Sequence, residues 1–245
     1  MVPIPYLVVR SLTPFLSGLY GGCKLRYGLC YHEPPMHNRI DTTAALAHFA
    51  HHDPIMARLL ERSLAAPNPI ALPTPKPPHQ YFHSIVTAII SQQISTKAAA
   101  SIRARVEATL GEVTPAQVRT TTPEQLRAAG LSPQKVKYIT HNAAVWETLP
   151  YHKFPTFPDE EVIATLTQLY GIGRWTAEMF LLFSLARPDV FSYCDLGLMQ
   201  SLYRNYQYYP HFKRKISATV EGWAPHRTAA SLALWHTVDN GPVLL

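Results

Sequence analysis

Cysteine, charge and long apolar runs are all scarce in this 245-residue sequence, and each shortage excludes a class of protein. The three cysteines, Cys23, Cys30 and Cys194, are too few and too widely spaced for a disulfide framework or a four-cysteine cluster. We therefore expect no iron–sulfur cluster and a reducing compartment. No segment reaches the run of about 18 apolar residues that a membrane-spanning helix needs, so no membrane is expected as a partner.

The sequence has few charged residues, and basic residues outnumber acidic ones. Charged residues make up only 16% of the chain and apolar residues 47%, which argues against extensive disorder. Lysine and arginine number 22 against 16 acidic residues, which gives a formal net charge of +6. A basic balance favours a polyanionic partner such as nucleic acid, but it is a weak signal alone.

Residues 1–35 differ from the rest of the chain. They show no helical period, and they lack the basic start, apolar run and small-residue cleavage site of a secretory signal. We interpret them as an irregular N-terminal extension that precedes a helical domain at residues 36–245.

From Asp41 onward the pattern predicts one helix after another. Asp41 and Asp53 are suitable N-caps for two short helices, and the proline-rich residues 67–78 should form an extended linker. Residues 81–94 are apolar nearly all round, which is typical of a buried central helix. Further helices are predicted at 98–110, 115–119, 123–129, 133–149, 159–169, 174–186, 195–203, 212–221 and 225–238. Convincing period-two strands are absent from the sequence, so the fold class is all-α.

The most informative local motif is Gly171-Ile172-Gly173, which lies between two predicted helices. Glycines allow close approach of another molecule, and the following helix N-terminus offers unpaired N–H groups and a positive dipole end to a phosphate. A plain helix–helix turn with a glycine stop explains the same short motif. The motif by itself leaves both interpretations open.

Asp195 opens a predicted helix after a short loop. On local grounds it is an N-cap, because aspartate is common at that position. Both roles can hold, because a carboxylate there could also stabilise positive charge on a reacting sugar, and the helix N-terminus would keep it ionised. Asp189, which follows Pro188 in a turn-like setting, is interpreted as structural.

Five segments, in this order along the chain, resemble the helix–hairpin–helix DNA glycosylase superfamily, and within it the AlkA-like 3-methyladenine DNA glycosylase II family. They are SQQIS (91–95), GLSPQKVKYI (130–139), LYGIGRWTAEMFLL (169–182), RPDVFSYCDLGL (187–198) and WAPHRTAASLALW (223–235). The resemblance implies a two-lobed helical fold with the active-site cleft between the lobes. Since the residues between Met36 and the buried helix have helical patterning, we expect a compact member without the β-domain of AlkA.

The resemblance also implies the chemistry. Asp195 matches the catalytic aspartate of the family. Trp175 occupies the place where bifunctional members carry a lysine nucleophile, so we expect hydrolysis by water and no strand cleavage. Trp175 and Trp223 match pocket aromatics that could bind a cationic base. Met179 stands where some members have tyrosine, which leaves the specificity of the pocket open.

The same resemblance implies how DNA is held. Gln93 matches the side chain that fills the gap left by a flipped base, although AlkA itself has an aliphatic residue there. Phosphate contacts are expected from Gly171, Gly173 and Thr176, with Lys135 as a further candidate. The backbone carbonyls of Thr167, Leu169 and Ile172 match a site for Na⁺ or K⁺; no other cofactor is expected to be required.

We therefore expect a monofunctional glycosylase that excises 3-methyladenine and 7-methylguanine from double-stranded DNA in base excision repair. It should act as a monomer, in the cytoplasm at the nucleoid if bacterial and in the nucleus if eukaryotic. Two alternatives remain. One is a glycosylase of the endonuclease III or adenine-mismatch type, which the missing lysine and cysteine cluster disfavour. The other is a non-catalytic module that binds damaged DNA.

Overall fold

Residues 40–239, the part of the chain that the computed structural model describes, fold into twelve α-helices, with no β-strand in that range. The predicted N-terminal extension, residues 1–35, lies outside it. The helices are α1 (Thr42–His52), α2 (Pro54–Ala65), α3 (Tyr81–Ser91), α4 (Thr96–Leu110), α5 (Pro115–Thr120), α6 (Pro123–Ala128), α7 (Pro133–Val145), α8 (Asp159–Leu166), α9 (Arg174–Phe183), α10 (Leu196–Tyr206), α11 (Lys213–Glu221) and α12 (Arg227–Asp239). The all-α prediction is confirmed.

Helix starts follow the capping signals in the sequence. The Asp41 carboxylate accepts hydrogen bonds from the backbone N–H groups of Thr43 and Ala44, and Asp53 caps α2 through Met56 N. Pro54 takes the first helical position, where its missing N–H costs nothing. Several later helices repeat this arrangement, with serine or threonine as N-cap directly before a proline.

Helix ends are less well predicted. Helix α3 stops at Ser91 instead of continuing to residue 94, because Gln92 is extended and Gln93 has a left-handed φ of 60°. Helices α8 and α9 also end three residues early, at Leu166 and Phe183. Apolar periodicity continues past the ends of α8 and α9, since Leu169 and Leu185 in the following turns are still buried.

Two groups of helices pack mainly within themselves. One consists of α1, α2, α10 and α12, and the other of α3 to α7. Helix α9 packs on α8 and on α3, and a hydrogen bond from Trp175 reaches Asp195, the N-cap of α10. This arrangement agrees with the predicted two-lobed fold and places the start of α10 opposite α9. None of the helices between residues 42 and 239 is long and apolar enough to cross a membrane.

Candidate active site

Asp195 is the buried N-cap of α10. Its Oδ1 accepts a hydrogen bond of 2.8 Å from the backbone N–H of Leu198, so the capping role expected from its position is present. The side chain is only 5% exposed. A buried carboxylate needs hydrogen-bond donors on both oxygens to offset its loss of hydration, and this one finds them in two tryptophans.

The indole N–H groups of Trp175 and Trp235 bind opposite oxygens of the Asp195 carboxylate. Trp175 Nε1 donates to Oδ2 at 2.8 Å, and Trp235 Nε1 donates to Oδ1 at 3.0 Å. Trp235 comes from α12 and is buried, whereas Trp175 comes from the first turn of α9 and is 41% exposed. The two rings therefore orient the carboxylate, and one of them also presents surface to solvent.

Trp235 is a site residue that the sequence pattern did not predict. It lies 40 residues after Asp195, at the end of a segment that reads as an ordinary apolar helix. A weak signal was present in Gly197: a Cβ at that position would lie 3.2 Å from Asp195 Oδ1 and 3.3 Å from Trp235 Cδ1. A glycine inside a helix without a backbone need for it indicates close packing.

Trp175, Met179 and Phe183 form one face of α9. They are spaced four residues apart, so their side chains lie in a row along the helix. The first of them binds Asp195, and the third stacks on Trp235 with ring centroids 5.8 Å apart. Met179, which is partly buried, lies between them on the same face of α9, and its predicted contact with a base stays a prediction.

Trp223 does not take the pocket position predicted for it. Its side chain is fully buried, its Nε1 donates to Asp53 Oδ2 at 2.7 Å, and its ring packs on Phe191 and Tyr206. A fully enclosed ring has no face to offer a base. The structure therefore corrects the prediction: Trp223 belongs to the core that joins α2 to the loop before α12.

A second carboxylate holds the loop that leads to Asp195. Glu178, on α9, accepts hydrogen bonds from Arg174 Nε and from the Ser192 hydroxyl, and the Ser192 carbonyl in turn accepts the N–H of Asp195. Arg174 also pairs with Glu160 on α8. Burial raises the pKa of Glu178, while its bonds to Ser192 and Arg174 oppose that rise. The buried side chain of Glu178 thereby links α9 to the loop that precedes Asp195.

Asp189, the other acid near Asp195 in sequence, has the structural role expected. Both of its oxygens accept from the Arg227 guanidinium, and Oδ1 also accepts the Arg227 backbone N–H at the start of α12. The pair fixes the beginning of the helix that carries Trp235.

The hairpin, residues 167–173 between α8 and α9, contains two glycines, and only one of these positions requires glycine. Gly171 has a φ of 75°, and a Cβ there would lie 2.4 Å from the Tyr138 ring, so both conformation and packing demand glycine. Gly173, the N-cap of α9, has an ordinary extended φ, and no atom would lie within 4 Å of an added Cβ. The missing side chain at Gly173 leaves space in front of the helix.

The start of α9 leaves backbone donors without helical partners. Its first intrahelical bond runs from Ala177 N to Gly173 O, so the N–H groups of residues 174–176 precede the hydrogen-bonded turns. No side chain caps this end, because the N-cap is glycine. Thr176 contributes one of these N–H groups, although its side chain is buried. The geometry suits an anion in front of Gly173.

Two amide side chains hold the hairpin in place. Buried Asn142 accepts Tyr170 N at 2.8 Å through Oδ1 and donates to Tyr170 O at 3.0 Å through Nδ2. Gln92 Nε2 donates to Gly171 O at 2.8 Å. The hairpin backbone is therefore tied to α7 on one side and to the turn after α3 on the other.

The turn after α3 presents Gln93 to solvent. Gln93 is exposed and adopts a left-handed φ of 60°, which is uncommon for residues with a side chain. Its neighbour Gln92 contacts the hairpin, so Gln93 projects from the protein close to the hairpin that carries the glycines.

Lys135 does not point towards solvent as a phosphate contact would. Its Nζ donates to the carbonyls of Ile90 and Gln92, both at 2.8 Å, and burial lowers its pKa. The carbonyls at the end of a helix lack intrahelical partners and attract a cation. This corrects the predicted phosphate role: Lys135 caps α3.

Apolar side chains are exposed around the hairpin and the carboxylate. Among the described residues, Tyr170, Trp175 and Leu196 are large apolar residues with 41–44% exposure. Tyr170 belongs to the hairpin and Leu196 directly follows Asp195. Exposed large apolar side chains near a buried carboxylate are typical of a binding site.

Comparison with known proteins agrees with this geometry. Residues 86–226 match the family described as HhH-GPD superfamily base excision DNA repair protein. The chain belongs to the HhH-GPD superfamily. The matched range contains the turn with Gln93, the hairpin and Asp195, and it ends just before α12.

Relatives within the HhH-GPD superfamily are similar over most of the described residues. DNA-3-methyladenine glycosylase 1 of Schizosaccharomyces pombe is 35% identical over 168 residues, which cover 64% of this chain and 72% of the relative. A crystal structure of DNA-3-methyladenine glycosidase from Bacillus halodurans has a TM-score of 0.68 and 34% identity, over 81% of this chain and 90% of that one. A 3-methyladenine DNA glycosylase of S. pombe in complex with abasic DNA has a TM-score of 0.67 and 30% identity, over 80% and 97%.

Proposed function

We propose that this HhH-GPD protein is a monofunctional DNA glycosylase that hydrolyses the N-glycosidic bond of alkylated bases, 3-methyladenine and 7-methylguanine, in base excision repair. The observation that carries the proposal is the hydrogen bond from Trp175 Nε1 to Asp195 Oδ2, which joins an exposed aromatic ring to a buried carboxylate. The names of the S. pombe and B. halodurans relatives support the same activity.

Asp195 is the catalytic residue of this proposal. When the bond between base and sugar breaks, positive charge develops at the sugar ring, and a nearby carboxylate stabilises it. Water then adds to the same sugar carbon and releases a proton, which leaves an abasic sugar and a free base. The bonds from Trp235 and Leu198 fix Oδ1, so the carboxylate is oriented before substrate arrives.

Trp175 supports both the monofunctional mechanism and the choice of base. An indole cannot form a Schiff base with the sugar, so water is the nucleophile. The exposed ring can receive a flipped base, and a positively charged base over an indole gains about 0.5–2 kcal/mol. Such a base takes the electron pair of the broken bond and leaves neutral, so no separate general acid is required.

Double-stranded DNA is the proposed partner, held at the hairpin and at Gln93. The N–H groups at the start of α9, with the open space at Gly173, suit a backbone phosphate. Gln93, exposed next to the hairpin, would fill the gap left by the base and can hydrogen-bond its former partner. The similar S. pombe glycosylase was solved in complex with abasic DNA, which supports DNA as the partner.

A monovalent cation at the hairpin is part of the same proposal. The carbonyls of Thr167, Leu169 and Ile172 lie in the turn between α8 and α9, and Leu169 O accepts only a long bond of 3.3 Å from Ile172 N. Neutral carbonyl oxygens suit Na⁺ or K⁺ in charge and in hardness. The ion would add positive charge next to the phosphate and take no part in the cleavage.

We propose that the protein acts as a monomer, since the Asp195 carboxylate finds its donors Trp175, Trp235 and Leu198 within its own chain. The protein would work where chromosomal DNA lies, at the bacterial nucleoid or in the nucleus of a eukaryote.

The test is base release from methylated duplex DNA. Wild type should release 3-methyladenine and 7-methylguanine, measured by chromatography, and D195N should be slower by at least about 100-fold. Asparagine is as good an N-cap as aspartate, but its NH₂ group would face the Trp175 indole N–H where a carboxylate oxygen now accepts it. D195N should therefore melt below wild type, and the two rates are compared per folded molecule. Release of neither base by wild type, or equal rates for D195N, would overturn the proposal. Strand cleavage at the product without alkali would overturn the monofunctional mechanism.

A further inference from the structure

The turn that carries Gln93 is held from two sides. Gln92, the residue before it, donates its side-chain Nε2 to Gly171 O in the hairpin and accepts the Lys135 ammonium at its own carbonyl oxygen, both at 2.8 Å. A second bond of 2.8 Å joins Lys135 to Ile90 O, in the last turn of α3. Lys135 thus spans the point where α3 ends and the turn begins.

The position of Lys135 is unfavourable within its own helix. It lies in the first turn of α7, three residues after the N-cap Ser132, where the helix dipole repels a cation. Partial burial adds a desolvation cost that lowers its pKa. Both costs are offset at the C-terminal end of α3, where its carbonyls need donors. The lysine is therefore matched to the end of α3 and to the turn that follows it.

The conformation of Gln93 needs such support. A left-handed backbone is unfavourable for a residue with a Cβ and persists only where the surroundings impose it. Gln93 is exposed, so the constraint has to come from its neighbours along the chain. The two ties on Gln92 provide it at the preceding peptide.

We propose that Lys135 is a positioning residue for the insertion of Gln93 into DNA. By holding the Gln92 carbonyl against α7, it keeps the turn in the conformation that presents Gln93 to the gap left by the flipped base. The inference rests on the proposed glycosylase function. It assigns Lys135 to base flipping instead of to phosphate binding or to the cleavage step.

The first experiment measures insertion without any cleavage. A duplex carries a stable abasic analogue, tetrahydrofuran, opposite 2-aminopurine, whose fluorescence reports changes in its stacking. Saturating wild-type protein should change the fluorescence, and K135M, which keeps the side-chain length but has no donor, should give a smaller change. K137M removes the same charge from an exposed position on α7 and should match wild type.

The second experiment measures single-turnover release of 7-methylguanine from two duplexes. In one the lesion is opposite cytosine, and in the other it is opposite tetrahydrofuran, so no base pair has to be broken. K135M should be about ten-fold slower on the first duplex and within about two-fold of wild type on the second. A purely structural defect would slow both duplexes equally. If K135M does not fold, K135Q replaces it, with the same selective slowing expected.

The outcomes separate the two proposals. Absence of base release by wild type would reject the glycosylase function, while the fluorescence experiment would still test the role of Lys135. Two results together would overturn the positioning role. K135M would be slowed equally on both duplexes, and its affinity for DNA would depend less steeply on salt concentration than that of K137M. Lys135 would then be a phosphate contact. Fluorescence and rates of K135M equal to those of wild type would overturn it too.

Discussion

Trp235 and Asp195, 40 residues apart, are joined by a hydrogen bond of 3.0 Å from the indole N–H to Oδ1. Because Oδ1 also caps α10 through Leu198 N, this atom receives two donors, while Oδ2 receives Trp175. The partly exposed ring of Trp175 is the one that a substrate can reach. The carboxylate is thus fixed from inside the protein and approached from outside.

Replacing Trp235 with phenylalanine tests that fixation. W235F keeps an aromatic ring to pack on Phe183 but removes the donor to Asp195. A hydrogen bond to a charged group contributes about 1.5–3 kcal/mol, so base release should fall by about ten-fold or more. The measurement is single-turnover release of 7-methylguanine.

The matched control is W223F, which also removes an indole donor to a carboxylate, that of Asp53. It should lower the free energy of unfolding yet leave the rate of release per folded molecule unchanged. If W223F lost as much rate per folded molecule as W235F, the contact of Trp235 with Asp195 would not be what sets the rate.

Gly197 should be required for activity more than for stability. Alanine normally stabilises a helix by about 1 kcal/mol relative to glycine. Here the new Cβ would press on Asp195 Oδ1 at 3.2 Å and on the Trp235 ring. We expect G197A to melt near wild type while base release falls several-fold. G222A, whose Cβ would meet its nearest atoms at 3.4 Å, serves as the control; equal activity of G197A and wild type would contradict the prediction.

Glu178 should make stability depend on pH. Burial raises the pKa of Glu178 in the folded protein above the ordinary value of 4.5. At a pH between the ordinary and the raised pKa, the folded state therefore binds more protons than the unfolded state. Its contribution to the free energy of unfolding is therefore greatest below pH 4.5 and decreases as pH rises through the folded pKa.

The measurement is denaturant unfolding of wild type and E178Q at a series of pH values. The stability of wild type relative to E178Q should decrease as pH rises above 4.5 and then level off. An increase of this difference over the same range would show that the bonds to Arg174 and Ser192 outweigh burial.

Asp53 should be one of the side chains on which stability depends most. It caps α2 and also accepts from the Tyr206 hydroxyl and the Trp223 indole, each at 2.7 Å. Burial raises the pKa of Tyr206, and the negative charge and the hydrogen bond of Asp53 raise it further. D53A would leave two donors without an acceptor, at about 1–3 kcal/mol each, besides the lost cap.

Denaturant unfolding should show a loss of about 3–5 kcal/mol for D53A. D41A removes only the exposed cap of α1 and should lose about 1 kcal/mol. Similar losses in the two variants would contradict the role given to the buried contacts of Asp53.

Local chemistry explains what the sequence could predict. N-caps such as Asp41 and Asp53 act within three residues of themselves, so most helix starts were placed correctly. The cap at Asp195 was likewise predicted from its position and is confirmed, whereas its catalytic role, predicted from the motif around it, stays a prediction. The hairpin glycines were found because turn and helix signals surround them.

Contacts between distant residues explain what it could not predict. Trp223 and Trp235 both follow an apolar pattern on or near α12, and nothing local states which of them meets Asp195 and which meets Asp53. Lys135 looks like a solvated charge until α3 is seen to end beside it. These partners are set by the packing of helices, which a linear pattern does not encode.

Helix α12 contributes Trp235 to the candidate active site, although α12 lies outside the range that matches the family. The family match ends at residue 226, and Trp235 lies nine residues beyond it. A polypeptide cut after residue 226 would keep the whole range over which the chain matches the family, but Asp195 Oδ1 would lose its indole donor. During synthesis, the Asp195 carboxylate can reach its final arrangement only after α12 has been made. A product truncated at residue 226 would therefore still match the family but would lack the Trp235 donor to Asp195.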